Sequence, residues 1–414
     1  MPWKILPEGS RRGVAWLSML CHPSWGVLAG RVRVGRPAPF RRSRRPLANG
    51  VKVGLLAAAV AAAGSPHFAL GQELEEGASP PGRSWTVLPF ASYMPETSLS
   101  FGALLAWIQG EPGEPGRVRT SLMTNAQYTL KSQMVAGVLL ESRPRPEWFI
   151  LADGAVKLRW PDRFYQPGNK TPRDAHEAWT SRGWNARGRF LRQMAHPSLF
   201  VGPLVGLSSL ELLEVEEGGL LDLGEIRGAR DHGFVGLGLV ATWDSRSSPV
   251  YPRSGSYHSM SLAGYRSFRG PEARVGRGEV DLRSYRSLGP STVLAVRGRL
   301  RGAWGDVPFT MHSAIGGTGG GLRGIFENRY ADRTAVVGLV ELRQSLFGRA
   351  GGVVFGGVGE VASNPGKLTL GGLHGSAGAG LRFTLLPASG LNLGVDFAMG
   401  EGGSGLYFLL GEVF

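Results

Sequence analysis

Residues 291 to 304 read Ser291-Thr292-Val293-Leu294-Ala295-Val296-Arg297-Gly298-Arg299-Leu300-Arg301-Gly302-Ala303-Trp304. In an extended strand successive side chains point to opposite sides, so Leu294, Val296, Leu300 and Trp304 share one face while Arg297, Arg299 and Arg301 share the other. Thr334 to Leu346 alternates again. Between them lies Gly316-Gly317-Thr318-Gly319-Gly320-Gly321-Leu322-Arg323-Gly324-Ile325, in which five of the first six residues are glycine. Glycines cannot pack a core, and they let backbone approach something closely. The segment therefore reads as two amphipathic strands joined by a long loop that carries one charge, Arg323.

Outward from this pair the same alternation recurs in sixteen segments: 84–92, 97–109, 116–129, 132–142, 146–159, 177–194, 198–214, 232–243, 254–266, 272–287, 290–304, 332–346, 350–361, 373–385, 390–399 and 405–413. Helical periodicity of any length is absent. In the tenth segment Arg277, Glu279, Asp281 and Arg283 share one face and Val280 and Leu282 the other. Connections after even-numbered strands are tight, as at Ala195-His196-Pro197, Leu288-Gly289-Pro290, Phe347-Gly348-Arg349 and Pro387-Ala388-Ser389-Gly390. Those after odd strands include the long ones, Pro161 to Ala175, Glu214 to Asp231 and Gly305 to Ala331. Short turns on one rim and long loops on the other characterise outer-membrane barrels, whose long loops face outside the cell. The expectation is an all-β fold, a transmembrane antiparallel barrel of about sixteen strands over residues 84–414, with polar side chains in the lumen and the glycine loop folded inward.

The whole chain of 414 residues carries a formal charge of +14, but the charge is concentrated at one end. Eleven basic residues stand against the single Glu8 before Gln72, leaving 35 basic and 31 acidic residues for the rest, a net of +4. A nucleic-acid partner loses its main support on that distribution. The lone Cys21 lies in the same leading segment, so the remainder has neither an internal disulfide nor a cysteine metal site. No stretch reaches the roughly 18 to 20 apolar residues of a membrane-spanning helix. Val53 to Gly64 is a short apolar run, and Ala69-Leu70-Gly71 places small residues where a signal peptidase cuts, so residues 1–71 read as presequence and signal peptide, cleaved before Gln72. Arg41-Arg42-Ser43-Arg44-Arg45 fits either a twin-arginine signal or an over-extended gene start. Residues 72–83 then form a short periplasmic segment.

Four motifs in order resemble the BamA/TamA family of outer-membrane barrels, also called the bacterial surface-antigen family. Asp244-Ser-Arg246-Ser-Ser-Pro249-Val-Tyr-Pro252-Arg-Ser-Gly255 is similar to that family's D-x-R-x-x-P-x-x-P-x-x-G turn, Leu322-Arg323-Gly324-Ile325 to its [VIL]-R-G-[FYI] loop motif, Glu341-Leu342-Arg343 to its E-x-R, and Gly411-Glu412-Val413-Phe414 to its G-x-x-F ending. Pro95-Glu96-Thr97 with Phe101-Gly102 is similar as well. The resemblance implies that Arg323 and Gly324 form a loop anchor inside the lumen against Glu341, with Arg343 on the same face. A guanidinium meeting the Glu341 carboxylate through two parallel hydrogen bonds is the expected contact. Leu406, Phe408, Leu410 and Phe414 are expected to share one strand face, and the terminal aromatic resembles the signal read by outer-membrane assembly machinery. Two departures stand out: only about a dozen residues separate Gln72 from the first strand, against the POTRA domains of the family's assembly members, and Gly357 occupies a thirteenth-strand position where that family often has an acid.

Competing chemistry is thin. Gly319-Gly320-Gly321-Leu322-Arg323-Gly324 satisfies G-x-G-x-x-G without the strand-to-helix context of a dinucleotide site. A G-x-S-x-G nucleophile motif is absent, and eight histidines are scattered without ligand spacing. No catalytic, cofactor or metal site is expected. Three functions stay open: an accessory in outer-membrane protein assembly or translocation, with membrane lipid, assembly machinery and a separate POTRA-bearing protein as partners; a passive pore whose arginines favour anions; and a surface-antigen barrel without transport.

Overall fold

A computed structural model describes residues 83–94, 98–111, 114–130, 133–172, 174–387 and 390–414. The expected signal peptide, most of the short periplasmic segment and the Pro95-Glu96-Thr97 motif lie outside them. Strands follow in the order β1 Ser84–Met94, β2 Ser98–Glu111, β3 Glu114–Thr129, β4 Met134–Ser142, β5 Trp148–Tyr165, β6 His176–Gln193, β7 Leu199–Val215, β8 His232–Asp244, β9 Gly255–Arg269, β10 Arg274–Ser287 and β11 Thr292–Gly305. After them come the two-residue strands β12 Ser313–Ala314 and β13 Ala331–Asp332, then β14 Thr334–Ser345, β15 Ala350–Ala362, β16 His374–Leu386, β17 Leu391–Gly400 and β18 Gly403–Leu410. All except β12 and β13 form one antiparallel sheet of sixteen strands in sequential order, and β12 pairs with β13 inside the connection between β11 and β14.

Every strand expected from alternation is present, with two revisions at strand ends. β5 runs through Pro161 to Tyr165 instead of stopping at residue 159, because its ladder with β6 shifts between Lys157 and Trp160 and resumes with Trp160 opposite Ser181. Beyond Lys157 β5 pairs only with β6, so Pro161 stands where the strand has one neighbour and a missing donor is tolerated. At the other end β18 stops at Leu410, since Gly411 adopts φ 77° and turns the chain out of the sheet.

The two faces of the sheet are sorted by polarity. On β11, Val296, Leu300 and Trp304 are 44%, 39% and 51% exposed, whereas Arg297, Arg299 and Arg301 on the opposite face are buried. Neighbouring strands repeat this outward apolar face with Leu237, Leu239, Met260, Leu262, Leu282, Val340 and Leu342. A water-soluble sheet sorts its residues the other way. The sheet curls around its charged face. The turn before β5 reaches the end of β8 through Arg143 Nη2 and Asp244 Oδ2 at 2.6 Å. The β5–β6 loop meets β13 and β15 through Gly168 N to the Ala331 carbonyl at 3.0 Å and Val361 N to Asn169 Oδ1 at 3.0 Å.

The core lies inside the curl and is built largely by the β11–β14 connection. Ile315, Leu322, Ile325 and Tyr330 from that loop pack with Tyr285, Ala295, Val337, Leu339, Val361 and Phe414 of the surrounding wall. Burying Leu322 and Ile325 stabilises the docked loop by about 1.5–3 kcal/mol each. Its backbone is satisfied locally by Ile315 N to the Tyr330 carbonyl at 3.2 Å, Leu322 N to the Ile315 carbonyl at 3.0 Å and Gly317 N to the Ile325 carbonyl at 2.9 Å.

Candidate functional site: the lumen anchor of the glycine loop

Arg323 is delivered into the lumen by the short helical turn Gly317–Gly320 and the close backbone pairing of Gly316 with Leu322. It is 1% exposed. Its two terminal nitrogens go to different carboxylates, Nη2 to Glu341 on β14 and Nη1 to Asp396 on β17. The guanidinium also lies over the Phe355 ring, with Cζ 3.4 Å from the centroid. The expected fork onto Glu341 alone is thus replaced by a straddle. Glu341 Oε2 is already taken by Arg343, through Nε at 3.1 Å and Nη2 at 2.9 Å, which leaves Arg323 the other oxygen.

The network continues along β16 and the chain end. Arg382 donates to Asp396 and, through Nε, to Glu412 Oε2 at 3.0 Å. Asn392 Nδ2 donates to Glu412 Oε1 at 2.9 Å, and Arg343 Nη2 also donates to the Phe414 carbonyl at 2.7 Å. Three guanidinium groups, Arg323, Arg343 and Arg382, thereby meet three carboxylates, Glu341, Asp396 and Glu412, all 7% exposed or less. Balanced charge is what permits such burial, because each isolated ion would cost several kcal/mol to desolvate.

Gly324 and Gly357 explain why the loop fits. Gly324 has φ 94°, its N–H donates to Tyr407 Oη at 2.6 Å, and a Cβ there would lie 2.6 Å from the Met399 carbonyl carbon and 2.7 Å from Gly400 N. Backbone atoms of β17 cannot move aside. Gly324→Ala is expected to undock the loop: the left-handed conformation alone costs about 1–2 kcal/mol, and the clash adds to it. Limited proteolysis of residues 306–333 reads this out, and protection equal to wild type would refute it. A Cβ on Gly357 would lie 2.5 Å from Leu339 Cδ2 and 3.0 Å from Leu322 Cδ2. The place where the family resemblance led one to look for an acid is occupied instead by the loop's own leucine. The second carboxylate comes from Asp396.

Arg323, Gly324, Glu341 and Arg343, named from the sequence, lie together here, and they are joined by Asp396, Arg382, Glu412, Tyr407 and Phe355, which that reading did not place at the anchor. A signal was available. Asp396 is the one charged residue of β17 and Arg382 the one arginine of β16, each set in an otherwise apolar or small-residue strand.

The turn motif forms a brace between β8 and β9 and lines a cavity shared with Glu412 and Phe414. Arg246 holds Asp244 through Nε to Oδ1 and Nη2 to Oδ2, both 2.9 Å, and reaches the Pro249 carbonyl at 3.3 Å. Arg143 and Glu141 extend this pair to the neighbouring turn. Pro252 is buried, and Gly255 opens β9.

The chain end departs from expectation. Leu406 is 39% exposed on the outer face, but Phe414 is 5% exposed and packs in the lumen core, so the two do not share a face. The cause is the turn at Gly411, whose N–H donates to the Asn392 carbonyl at 2.7 Å, together with the pull of Arg382 and Asn392 on Glu412. The side chains of Phe408 and Leu410 lie outside the described residues.

No family model and no curated protein matches the chain. Among solved structures it is similar to BamA from Haemophilus ducreyi lacking POTRA domains 1–3, at 15% identity and a TM-score of 0.48 over 80% of this chain and 69% of that one. CdiB from Acinetobacter baumannii gives 11% identity and 0.46 over 77% and 56%. Pseudomonas aeruginosa OccK11 (OpdR) gives 9% and 0.30 over 80% and 90%. By its own geometry the chain forms one antiparallel sheet of sixteen strands that curls around its charged face, with its longest described loop docked inside the curl.

Proposed function

We propose that the protein resides in the bacterial outer membrane as a barrel of the BamA/TamA type and acts as an accessory in outer-membrane protein assembly or translocation. The observation that carries this reading is the buried anchor: a loop held by Arg323 between Glu341 and Asp396 keeps the lumen occupied, which suits a barrel that handles chains at its wall better than one that conducts freely. Membrane residence is supported by the outward apolar face and the inward charges, an arrangement lipid favours and water does not. Lipid would cover that face, assembly machinery would read the final strand, and a separate periplasmic POTRA-bearing protein would supply the client.

Reconstitution tests the proposal. Vesicles containing the purified protein are expected to accelerate folding of an unfolded eight-stranded outer-membrane barrel relative to empty vesicles, and an equal rate would refute the assembly role. A second reading, a passive anion-preferring pore, is favoured by the arginines that line a cavity of about 270 Å³ in the lumen, among them Arg187, Arg189, Arg283 and Arg297. Steady single-channel conductance with anion selectivity would establish it in place of the first.

Topology is checked independently. Cysteines at Lys170 and Glu217, exposed on the rim of long loops, are expected to react with an impermeant reagent on intact cells, and one at Gly289 in the short turn after β10 is not. Equal labelling at all three positions would reverse the membrane reading.

A further inference from the structure

A second lumen cavity, of about 70 Å³, is lined by Asp153, Asn185, Arg187, Arg277, Glu279 and Arg301 among others. Its two carboxylates are already committed to other cations. Asp153 Oδ1 accepts from Arg187 Nη2 at 2.9 Å and Arg189 Nη2 at 3.1 Å, and Glu279 pairs with Arg299 at 2.7 Å. Arg277 and Arg301 make no ion pair within 4 Å among the described residues. Arg301 is 2% exposed, spends Nη2 on the Ala314 carbonyl of the docked loop, and keeps a buried Nη1 with no partner in the protein. Asp153 Oδ2 is likewise buried with no donor.

Counting the committed partners, five guanidinium groups face two carboxylates around this space. Buried cations in such excess are costly unless an anion joins them, and a buried N–H without an acceptor adds to the cost. The cavity exceeds the roughly 10–15 Å³ that one water requires. Chloride would meet the arginines but offer no donor to Asp153 Oδ2, and a fully deprotonated oxyanion would be repelled by it.

We propose that this cavity binds a small oxyanion carrying a proton, of the hydrogen phosphate class, held by Arg277 and the free edge of Arg301 with its O–H directed at Asp153 Oδ2. Enclosure in the lumen favours the free ion over a lipid headgroup, whose acyl chains stay outside the wall. Because Arg301 grips Ala314 and Arg299 Nη1 donates to the Gly319 carbonyl at 3.1 Å, occupancy also tightens the glycine loop. The inference does not depend on an assembly role and survives its failure.

The test uses purified protein in detergent, with inorganic phosphate titrated against sodium chloride at constant ionic strength. A saturable rise in Tm and greater protease protection of the loop are expected with phosphate, and a smaller rise with sulfate. Arg277→Gln should remove the saturable component, while Arg266→Gln, at an exposed rim position, should keep it. Calorimetric titration of the unmodified protein gives a readout that needs no variant. Melting that follows ionic strength alone with no calorimetric binding, or a saturable response retained in Arg277→Gln, would overturn the site. An equal response to sulfate would overturn the role given to Asp153.

Discussion

Arg323→Ala is expected to release the glycine loop from the lumen and to lower the stability of the barrel by about 3–5 kcal/mol, the range for removing one partner from a buried ion pair. The substitution leaves Arg343 and Arg382 facing Glu341, Asp396 and Glu412, an excess of one buried negative charge. It also removes the cation stacked on Phe355. Arg323→Lys should rescue poorly for a geometric reason. The guanidinium spans two carboxylates on β14 and β17 at once, and a single ammonium at the end of a flexible stem lacks that planar reach. Resistance of the folded form to heating in detergent gives the stability, and protease cleavage within residues 306–333 gives the state of the loop. Heat resistance and protection equal to wild type in Arg323→Ala would refute the anchor.

Asp396→Ala should be comparably severe although no motif marks it. Asp396 is fully buried and accepts from both Arg323 and Arg382, so its loss leaves three guanidinium groups facing two carboxylates. Asp396→Asn should recover part of the stability, because the amide oxygen still accepts one hydrogen bond while the charge is gone. Since Arg323 and Asp396 touch, their effects should not add: the double alanine variant should be less damaging than the sum of the singles by about 0.5–3 kcal/mol. Glu272→Ala is the matched control. Glu272 pairs with Arg266 at 3.3 Å, both side chains are about two-thirds exposed, and an exposed pair contributes about 0–1 kcal/mol. Urea titration in detergent measures all four variants, and strictly additive losses at Arg323 and Asp396 would show that the two sites do not communicate.

Much of the barrel was legible in the sequence because its signal is local. A strand between lipid-like and lumen-like surroundings repeats with period two, and sixteen repetitions with sorted loop lengths leave few alternative folds. The ends were less legible. Pro161 and Gly411 mark real irregularities, but the continuation of β5 through its proline and the turn that sends Phe414 inward depend on which strand lies alongside and which cations lie below.

Arg323, Gly324, Glu341 and Arg343 could be named from sequence because the first pair sits in one loop and the second in the strand that follows. Asp396, Arg382 and Glu412 are separated from Arg323 by dozens of residues and join it only because the loop docks against the stretch of sheet in which β14, β15, β16 and β17 are successive neighbours. Alternation along each strand therefore determined which side chains face inward, as a property of backbone geometry alone. Which of those inward charges meet was decided by the tertiary structure, because desolvated guanidinium and carboxylate groups must find partners in whatever the curled sheet places within hydrogen-bonding reach.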